Sequence, residues 1–456
     1  MPAFAPSDLA AWSQGTWSHL PAVAPKGLSV DTRTLQPGEI FVALRTARRD
    51  GHQYLAEART RGAAAAIVST QQPDELPQLV VGDTNVALRH IAAEWRQRFV
   101  GKVVGVTGSV GKTSTKELLG AMLGSSAFVT EANLNNLLGV PLMLLRVEPA
   151  QHRTAVIEAG MSVLGELALS AQVIHPDLAI VTAVESVHLE GVGSLAAVAQ
   201  EKSQLVAALK PTGWAIIPAK LLEWPEFAAH ATRTIAVQFA DEPAPAVKPG
   251  RLVQAAILRD VEGRQSLSLD GKVYPCGELS QGLMRNAALA LTAALELEVA
   301  PEALAQVLAT WMPPAGRGSV HRIGKTTYYV DCYNASPASL LDSAACFDRL
   351  SRLDPRPRLF LLGGMAELGK LSCHLHHECG VRLPVRAGDL VIAYGGDAAA
   401  YLPGLPQGVQ SHVAATLEQV QADLFAHRGF IFVKGSRSHA LERALPPFIR
   451  DTLNFH

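Results

Sequence analysis

A glycine-rich segment early in the chain carries a lysine and a threonine between an apolar run and a helix-like run. It spells GVTGSVGKTSTKELL from Gly105 to Leu119, and Lys112 and Thr113 follow Gly111 directly. Gly108 and Gly111 would let backbone N–H groups face an anion at the start of the helix. The lysine could then reach terminal phosphates, and the threonine hydroxyl could ligate Mg²⁺. The segment predicts a loop that binds nucleotide phosphates.

The spacing of this loop departs from the common pattern G-x-x-x-x-G-K-[ST]. Val106 occupies the position of the first glycine, and Gly105 lies one residue too far back. We interpret the loop as one residue longer than usual, with Ser109 and Ser114 as further nucleotide-binding positions. The alternative is a glycine-rich turn that binds no nucleotide.

Three more polar residues could act on a bound nucleotide if the fold brings them to the loop. Glu158 ends the apolar run AVIE, a position where such folds hold an acidic residue near the metal. His188 follows the next strand-like run, and Lys202 lies in the helical stretch AQEKSQL. Taken singly, His188 also fits a loop or core histidine, and Lys202 also fits a solvated surface lysine.

Composition limits the class of protein. The chain has 456 residues, 48% of them hydrophobic, which predicts about three globular domains. Its 40 basic and 41 acidic side chains leave no positive excess for nucleic-acid binding. The amino terminus lacks the pattern of a signal peptide, and no run is long and apolar enough to span a bilayer. We expect a cytoplasmic protein without membrane insertion.

The five cysteines are scattered, so we expect them to be reduced. One segment, KLSCHLHHECG, concentrates Cys373, His374, His376, His377 and Cys379. A zinc site is conceivable there, but the spacing matches no common ligand pattern. We interpret the segment as the surface of a helix.

The order of the elements predicts an α/β fold with three domains. Residues 1–98 form a small α/β domain. In residues 99–313, apolar runs such as KVVGVTG, TAVIEAG and DLAIVTAV alternate with helical segments, which predicts a mostly parallel sheet with helices on both faces. Antiparallel strands are appended to it in LVQAAILRDVEGRQSLSLDGKVYPC. Residues 314–456 repeat the alternation as a Rossmann-like α/β domain.

Several segments taken together, in order, resemble the Mur ligase family: TGSVGKTSTKE, NLNNLLGVPL, EAGMSVLGEL, HLEGVGS followed by EKSQL, and GRGSVHRIG followed by DCYNASP. The likeness spans the whole chain. The segment around VDTR resembles the uridine-nucleotide-binding domain of its later members, and LGGMAELGK and VKGSRSHALE resemble the carboxy-terminal domain of members that add D-alanyl-D-alanine. We find no DNPR-type motif, which the diamino-acid-adding members carry.

The resemblance implies an ATP-dependent amide ligase of peptidoglycan precursor synthesis. ATP would phosphorylate the terminal carboxylate of UDP-N-acetylmuramoyl-tripeptide, and the amine of D-alanyl-D-alanine would attack the acyl phosphate. By the same resemblance, domain 1–98 would bind the UDP substrate, domain 99–313 ATP, and domain 314–456 the incoming dipeptide. The alternatives are another amino-acid ligase, of the diamino-acid-adding or folylpolyglutamate-synthase-like kind, and a non-catalytic UDP-muropeptide-binding protein. We expect a monomer.

The resemblance also assigns roles to residues. Arg317 would contact the phosphates and act in catalysis with Lys112, His188 and Lys202. Thr113 and Glu158 would hold one Mg²⁺, and Glu158 and His188 a second. An ammonium group has no lone pair to offer a metal, so Lys202 would be carbamylated to give an anionic oxygen ligand.

Further residues match family positions that contact the substrates. Asn286 would contact adenine and Asp331 the ribose hydroxyls. The expected UDP contacts are Asp31, Thr32 and Arg33, and Asn135 and Asn136 would face the sugar-peptide. Lys434, Ser436 and Arg437 follow a strand and open a helix, a position that suits a carboxylate or a phosphate.

Four departures from the family pattern flank these sites. Ala183, Val184 and Glu185 replace Asn-Ile-Gly before the histidine loop, and Gly364 replaces the aspartate of LGDM. Ser336 replaces the second asparagine of NANP, and Gly282 stands where a histidine is common. The proposed phosphate and metal positions are intact, so we expect the ATP chemistry to be retained.

Overall fold

The computed structural model describes residues 2–46, 49–185 and 189–453. Over these residues the chain forms three consecutive α/β units, with sheets of five, nine and six strands. Most neighbouring strands in each sheet are parallel, and helices connect them. The predicted α/β class with three domains is confirmed. Within the described ranges, no helix is both long enough and apolar enough to cross a membrane.

The first unit contains a short five-stranded sheet flanked by helices. Its elements are α1 (Pro6–Ser13), β1 (Thr16–Trp17), β2 (Leu28–Ser29), β3 (Ile40–Val42), α2 (Leu55–Thr60), β4 (Ala65–Val68), β5 (Gln78–Val80) and α3 (Thr84–Arg98). The strand order is β1-β5-β4-β3-β2, and only β1 is antiparallel to its neighbour. The side chain of Asp83 caps the start of α3.

The second unit contains the nine-stranded sheet, in the order β14-β13-β12-β11-β10-β9-β6-β8-β7. Its elements are β6 (Lys102–Thr107), α4 (Lys112–Leu123), β7 (Ala127–Val129), α5 (Gly139–Leu145), β8 (Thr154–Glu158), α6 (Glu166–Ile174), β9 (Leu178–Val181), α7 (Leu189–Val192), α8 (Leu195–Ala207), β10 (Trp214–Pro218), α9 (Pro225–Ala228), β11 (Thr234–Phe239), β12 (Arg251–Arg259), β13 (Gln265–Leu269), β14 (Lys272–Pro275), α10 (Gln281–Glu296) and α11 (Pro301–Thr310). As predicted, the strands appended after β12 are antiparallel.

The third unit contains the six-stranded sheet, in the order β15-β16-β20-β17-β18-β19. Its elements are β15 (Ser319–Ile323), β16 (Thr326–Asp331), α12 (Pro337–Ser351), β17 (Arg358–Gly363), α13 (Ser372–Arg382), β18 (Leu390–Tyr394), β19 (Gln410–Ala414), α14 (Leu417–Ala426), β20 (Phe430–Lys434) and α15 (Pro447–Arg450). Only β15 pairs antiparallel with its neighbour.

The predicted domain limits fall in connections between these units. The limit after residue 98 follows the last residue of α3, and the limit after residue 313 lies between α11 and β15. The substrate assigned to each domain stays a prediction.

The cysteine- and histidine-rich segment forms α13, as its helical interpretation required. Cys373 and His377 are exposed, in agreement with a helix surface. The surface interpretation is wrong for His376 and Cys379, because both side chains are buried against the domain core. The pattern of polar residues did not reveal that one side of α13 packs inward.

One buried arginine joins the first unit to the second. Arg96 of α3 is 2% exposed, and its guanidinium donates to the backbone oxygens of Ile174 (2.9 Å) and His175 (3.0 Å) and to Oδ2 of Asp177 (2.8 Å). The same carboxylate oxygen accepts from the N–H of Val103 at the start of β6 (2.9 Å). Arg96 therefore ties α3 to the end of α6 and to the first strand of the second unit.

We predict that Arg96→Met lowers the free energy of unfolding by about 3 kcal/mol, because Asp177 and the carbonyl oxygens of Phe99, Ile174 and His175 would lose buried donors. Chemical denaturation followed by circular dichroism measures the change. The matched control is Arg264→Ala, since the Arg264 side chain is 75% exposed and its ion pair with Asp260 lies at the surface. That control should change stability by less than about 0.5 kcal/mol. Equal effects of the two variants would contradict the bridging role.

Candidate functional site

The carboxyl ends of three neighbouring parallel strands meet at the glycine-rich loop. Strand β6 lies between β8 and β9, and the register pairs Val106 with Glu158 on one side and Thr107 with Val181 on the other. In open α/β sheets, ligands usually bind at the carboxyl ends of the strands, at the point where the strand order reverses and successive connections run to opposite sides of a central strand. The loop, Glu158 and the connection after β9 are brought together by the sheet itself.

The two loop glycines are required by close contacts. Gly108 has φ 148°, and a Cβ there would lie 1.9 Å from Oγ1 of Thr182. Gly111 has φ 87° and is the N-cap of α4, and a Cβ there would lie 2.4 Å from Nδ2 of Asn286. Only glycine fits either position, so the backbone can turn tightly and α4 begins with its N–H groups facing the cavity.

The loop is anchored to the segment that follows β9. The N–H of Ser109 donates to the backbone oxygen of Ala183 (2.9 Å), and the N–H of Glu185 donates to Oγ of Ser109 (2.9 Å). The hydroxyl of Thr182 also donates to the backbone oxygen of Val110. These bonds fix the loop before any ligand binds, and Thr182 is a supporting residue that the sequence did not reveal.

Glu158 forms the floor of the site next to the loop. It is 1% exposed, and its Oε1 accepts from the hydroxyl of Thr113 (3.2 Å) and from Nδ2 of Asn135 (2.7 Å). Its Oε2 is buried and has no hydrogen-bond donor among the described residues. A buried carboxylate oxygen without a donor is a suitable cation ligand.

Lys202 lies on α8, which packs directly on β6. A Cβ at Gly105 would lie 2.9 Å from Cδ1 of Leu205 on the same helix. Gly105 therefore allows α8 to approach the sheet closely. This packing explains why a glycine lies there, one residue before the position of the first glycine in G-x-x-x-x-G-K-[ST]. The side chain of Lys202 is 1% exposed and lines the same cavity as the loop.

Positively charged side chains lie close together beside the glycine-rich loop. Burial lowers the pKa of Lys112, an effect that Glu158 opposes and Arg317 reinforces. Burial, followed by the charge of Lys112, lowers the pKa of Lys202 well below its ordinary range, while Glu201 opposes the shift. Nζ of Lys112 donates to the backbone oxygen of Gly108 (2.8 Å). Anions bound between these cations would relieve the repulsion.

The carboxy-terminal unit contributes the opposite wall. Arg317 stacks on Tyr333 with 3.8 Å from its guanidinium carbon to the ring centroid. Asp331 at the end of β16 lies in register with Lys434 at the end of β20, and the lysine donates to Oδ2 of Asp331 (2.7 Å). The hydroxyl of Ser343 donates to the same oxygen. Asp331 is thus held rigidly at the cavity.

Ser436 and Arg437 lie beside this wall and have other contacts. Oγ of Ser436 accepts from the N–H of Ala366 (2.9 Å), and Arg437 pairs with Glu442 (2.6 Å). Neither lines the main cavity, whereas Lys434 does. Their predicted role in binding a carboxylate stays a prediction.

A carboxylate that the sequence did not single out joins the two units. Asp342 of α12 accepts from Oγ of Ser280 (2.5 Å) and from the N–H of Gly282 (3.0 Å), at the start of α10. A Cβ at Gly282 would lie 2.6 Å from Oδ2 of Asp342, so a histidine would not fit there in this arrangement. Ser336, another departure, caps α12 by accepting from the N–H of Ser339.

These side chains enclose one cavity of about 630 Å³ between the second and third units. Of the predicted site residues, the cavity brings together Ser109, Gly111, Lys112, Thr113, Ser114, Asn135, Asn136, Glu158, Lys202, Asn286, Arg317, Asp331 and Lys434. Gly108 lies in the same loop. His188 falls outside the described residues. In the parts of the chain that are described, no cluster of three acidic, histidine or cysteine side chains forms a metal site.

The predicted UDP residues lie in the first unit, away from this cavity. Arg33 donates to both oxygens of Asp31, with 2.6 Å between Nη2 and Oδ2, and Thr32 is buried. Strand β2, which precedes this turn, packs against α5. The side chain of Asn136 accepts from the N–H groups of Leu138 and Gly139 where α5 begins. The turn and the cavity are therefore linked through α5.

Comparison with known proteins identifies the family of this chain. A family model described as the Mur ligase middle domain matches residues 106–272. A UDP-N-acetylmuramoyl-tripeptide–D-alanyl-D-alanine ligase of Synechocystis sp. is 35% identical over 370 residues, covering 78% of this chain and 76% of the relative. The protein of that name from Escherichia coli is 32% identical over 431 residues, 92% of each chain.

Solved structures show the same architecture. A crystal structure of MurF from Acinetobacter baumannii superimposes with a TM-score of 0.85 at 26% identity, over 99% of both chains. MurF from Thermotoga maritima in complex with ADP gives a TM-score of 0.79 at 25% identity, over 94% of this chain and 98% of that chain. The chain therefore belongs to the Mur ligase family, in the branch made up of UDP-N-acetylmuramoyl-tripeptide–D-alanyl-D-alanine ligases.

Proposed function

We propose that the cavity between the second and third units carries out ATP-dependent joining of D-alanyl-D-alanine to UDP-N-acetylmuramoyl-tripeptide. The observation that carries this proposal is the convergence of Lys112, Lys202 and Arg317 around the carboxylate of Glu158 in one cavity. Such a set of fixed charges suits the transfer of a phosphoryl group, whose transition state spreads negative charge over its oxygens.

In this proposal the glycine-rich loop binds the phosphates of ATP. N–H groups of the loop and of the first turn of α4 donate to phosphate oxygens, and the helix dipole favours the same charge. Lys112 exchanges its bond to the Gly108 carbonyl for a bond to the terminal phosphates. Asn286, which lies against Gly111, contacts the adenine, and Asp331 accepts from the ribose hydroxyls. The nucleotide then spans both walls of the cavity.

The residues beside the loop suit Mg²⁺. Thr113 and Glu158 would hold one ion, and Glu158 with His188 a second. The buried Oε2 of Glu158 supports this assignment, because Mg²⁺ prefers oxygen ligands and leaves other positions to phosphates and water. When bound, the ions neutralise charge on the phosphates.

Carbamylation of Lys202 fits its surroundings. Burial and the charge of Lys112 lower the pKa of this lysine, which favours its neutral amine, and the neutral amine is the form that reacts with carbon dioxide. The product is an anion, so the repulsion from Lys112 becomes attraction. Carbamylated Lys202 would thus supply the oxygen ligand that an ammonium group lacks.

The reaction itself needs positioned reactants. A carboxylate oxygen of the tripeptide attacks the γ-phosphorus, forming an acyl phosphate while the bond to ADP breaks. The dipeptide amine then attacks the acyl carbon, so that a C–N bond forms, phosphate leaves, and the nitrogen loses its extra protons. Lys112 and Arg317 stabilise charge on the transferred phosphoryl group.

We propose that the UDP end of the substrate binds at Asp31, Thr32 and Arg33. Asn135 and Asn136 would contact the sugar-peptide on its way to the cavity, in keeping with the packing of β2 on α5. The third unit, with Lys434, Ser436 and Arg437, would receive the dipeptide. The cytoplasmic location and the monomeric state stay predictions.

The proposal predicts that phosphate release requires all three cosubstrates. With ATP, Mg²⁺, UDP-N-acetylmuramoyl-tripeptide and D-alanyl-D-alanine, a coupled phosphate assay should show continuous turnover, because attack of the amine frees phosphate. Omission of either cell-wall substrate should stop it. Single amino acids, glutamate among them, are tested in place of the dipeptide as alternative amine components. Turnover with one of these and none with the dipeptide would reject the proposed substrate.

Lys112→Ala should lower kcat/KM by about 10³-fold, because a fixed positive charge on the transferred phosphoryl group is lost. The phosphate-release assay measures the change, and thermal unfolding checks that the fold persists. Lys248→Ala is the matched control, because Lys248 is an exposed lysine that does not line the cavity. A loss below tenfold for Lys112→Ala would exclude its assigned role.

Lys202→Ala should remove both a carbamate and most of the activity. Protein equilibrated with ¹³C-bicarbonate should show a carbamate carbon resonance by NMR that is absent from the variant. Its kcat should fall by about 10²-fold or more. Removal of bicarbonate should lower wild-type activity reversibly, and Lys325→Ala, at an exposed position, should behave as wild type. Full wild-type activity without the resonance would contradict the modification.

A further inference from the structure

One side of α12 in the third unit contacts the segment at which α10 of the second unit begins. We refer to residues 278–282 as the α10 entry segment. Asp342 and Arg349 are about two helical turns apart on α12, so both lie on the same side of that helix. Asp342 accepts from two groups of the entry segment, and Arg349 donates to Oε1 of Glu278 (3.3 Å). The two units therefore meet here through charged side chains.

Both oxygens of Asp342 bond to the start of α10. Oδ2 accepts from the hydroxyl of Ser280 (2.5 Å), and Oδ1 accepts from the N–H of Gly282 (3.0 Å). Ser280 is also the N-cap of α10, and its Oγ accepts from the N–H of Leu283 (3.2 Å). A helix leaves its first N–H groups without partners inside the helix. One unit thus supplies a partner for the helix of the other, in addition to the helix's own cap.

The glycine at position 282 is explained by this contact. The three heavy atoms nearest to a Cβ built at Gly282 all belong to Asp342, and Oδ2 would be only 2.6 Å from that Cβ. Gly282 lies within the regular helix α10, where glycine is less favourable than other residues. The local backbone therefore does not require a glycine, but the carboxylate does. Gly282 and Asp342 form a matched pair across the two units.

The contact lies next to the proposed nucleotide residues of both units. On α10, Asn286 follows the entry segment by one turn and lies against the glycine-rich loop. On α12, Asp342 is followed by Ser343, whose hydroxyl donates to Oδ2 of Asp331. The proposed adenine contact and the proposed ribose contact are therefore each a short step from the same pair of bonds.

The energetics of the contact suit one that can open. Burial raises the pKa of Asp342, whereas the bonds from Ser280 and Gly282 oppose that shift. Closing the contact removes a carboxylate from water, and this desolvation offsets much of the gain from its hydrogen bonds. The neighbouring pair of Arg349 and Glu278 is partly exposed, at 22% and 30%, and adds little.

We propose that the contact of Asp342 with Ser280 and Gly282 is a latch that holds the second and third units where Asn286 and Asp331 reach one nucleotide. This inference rests on the proposed function, in which those two residues bind ATP. A nucleotide that contacts both walls binds better when the latch is closed, so ATP binding and latch closure favour each other. Asp342 is then a positioning residue, because it acts through the arrangement of the units.

The test measures the dissociation constants of Asp342→Ala and wild type by calorimetry. The Kd of the non-hydrolysable ATP analogue AMP-PNP should rise about tenfold, because the binding-competent arrangement becomes a minor state. The Kd of UDP-N-acetylmuramoyl-tripeptide should stay within about twofold, since its proposed UDP contacts lie in the first unit. Asp342→Asn, which keeps an acceptor for Gly282, should fall between the two proteins. Unchanged AMP-PNP affinity, or an equal loss for both ligands, would overturn the latch.

Gly282→Ala tests the same contact from the other unit. Its Cβ would push Asp342 away, so AMP-PNP affinity should fall about as far as in Asp342→Ala, while the helical alanine should not lower Tm. In the Asp342→Ala background the same substitution should have no further effect, because the atoms that it would meet are gone. Losses that add in the double variant would show that the residues act separately and would reject the proposal.

Two substitutions serve as matched controls. A Cβ at Gly277, just before the entry segment, would meet no atom within 4 Å, so Gly277→Ala should leave AMP-PNP affinity unchanged. Asp451 is an aspartate of the third unit that is 69% exposed and does not line the cavity, so Asp451→Ala should behave in the same way. An affinity loss in either control that equals the loss in Asp342→Ala would contradict a specific latch.

Small-angle X-ray scattering reports the arrangement of the units directly. Without nucleotide, Asp342→Ala should have a larger radius of gyration than wild type, and saturating AMP-PNP should remove most of that difference. Identical scattering of the two proteins without nucleotide would also overturn the latch. The proposed function fails separately, if wild type binds no AMP-PNP; if wild type and the variants bind it equally, only the latch fails.

Discussion

The structure depends on holding several like charges close together out of water. Lys112 is half-buried and Lys202 is buried in the cavity that Glu158 also lines, and each lysine is destabilised as a cation by its surroundings. Such an arrangement is costly unless anions complete it. The parallel sheet maintains it, because β6 carries the loop while its neighbours β8 and β9 carry the carboxylate and the connection after β9 to the same edge. Phosphates, and a carbamate on Lys202, would balance the charge.

The departures from the family pattern have physical explanations in the packing. Ala183 and Glu185 contact the loop through a backbone oxygen and a backbone N–H, so their side chains are free to differ from Asn-Ile-Gly. At Gly364, a Cβ would lie 2.9 Å from Nε2 of His439, so the imidazole occupies the space that an aspartate would need. These positions therefore do not by themselves indicate a degenerate site.

The sequence predicted the fold and the parts of the site that are local in the chain. Alternating apolar runs indicated the parallel sheets, and a lysine and a threonine after glycine indicated the loop. What it could not supply are pairings over long separations. Asp331 and Lys434 are 103 residues apart and meet only because β16 and β20 are neighbours. The burial of His376 likewise follows from how α13 packs, which a polar sequence pattern does not reveal.

The interface between the first and second units differs from the interface between the second and third units in its hydrophobic core. One core cluster runs from the first unit into the second, where Trp95 of α3 and Met143 of α5 belong to the same cluster. The clusters of the third unit contain only residues of that unit. Its described contacts with the second unit include polar ones, such as Asp342 with Gly282 and Arg349 with Glu278. Polar interfaces of this kind permit relative motion of domains, whereas shared cores resist it. The third unit is therefore the one expected to move when substrates enter, and it carries Asp331 and Lys434 with it.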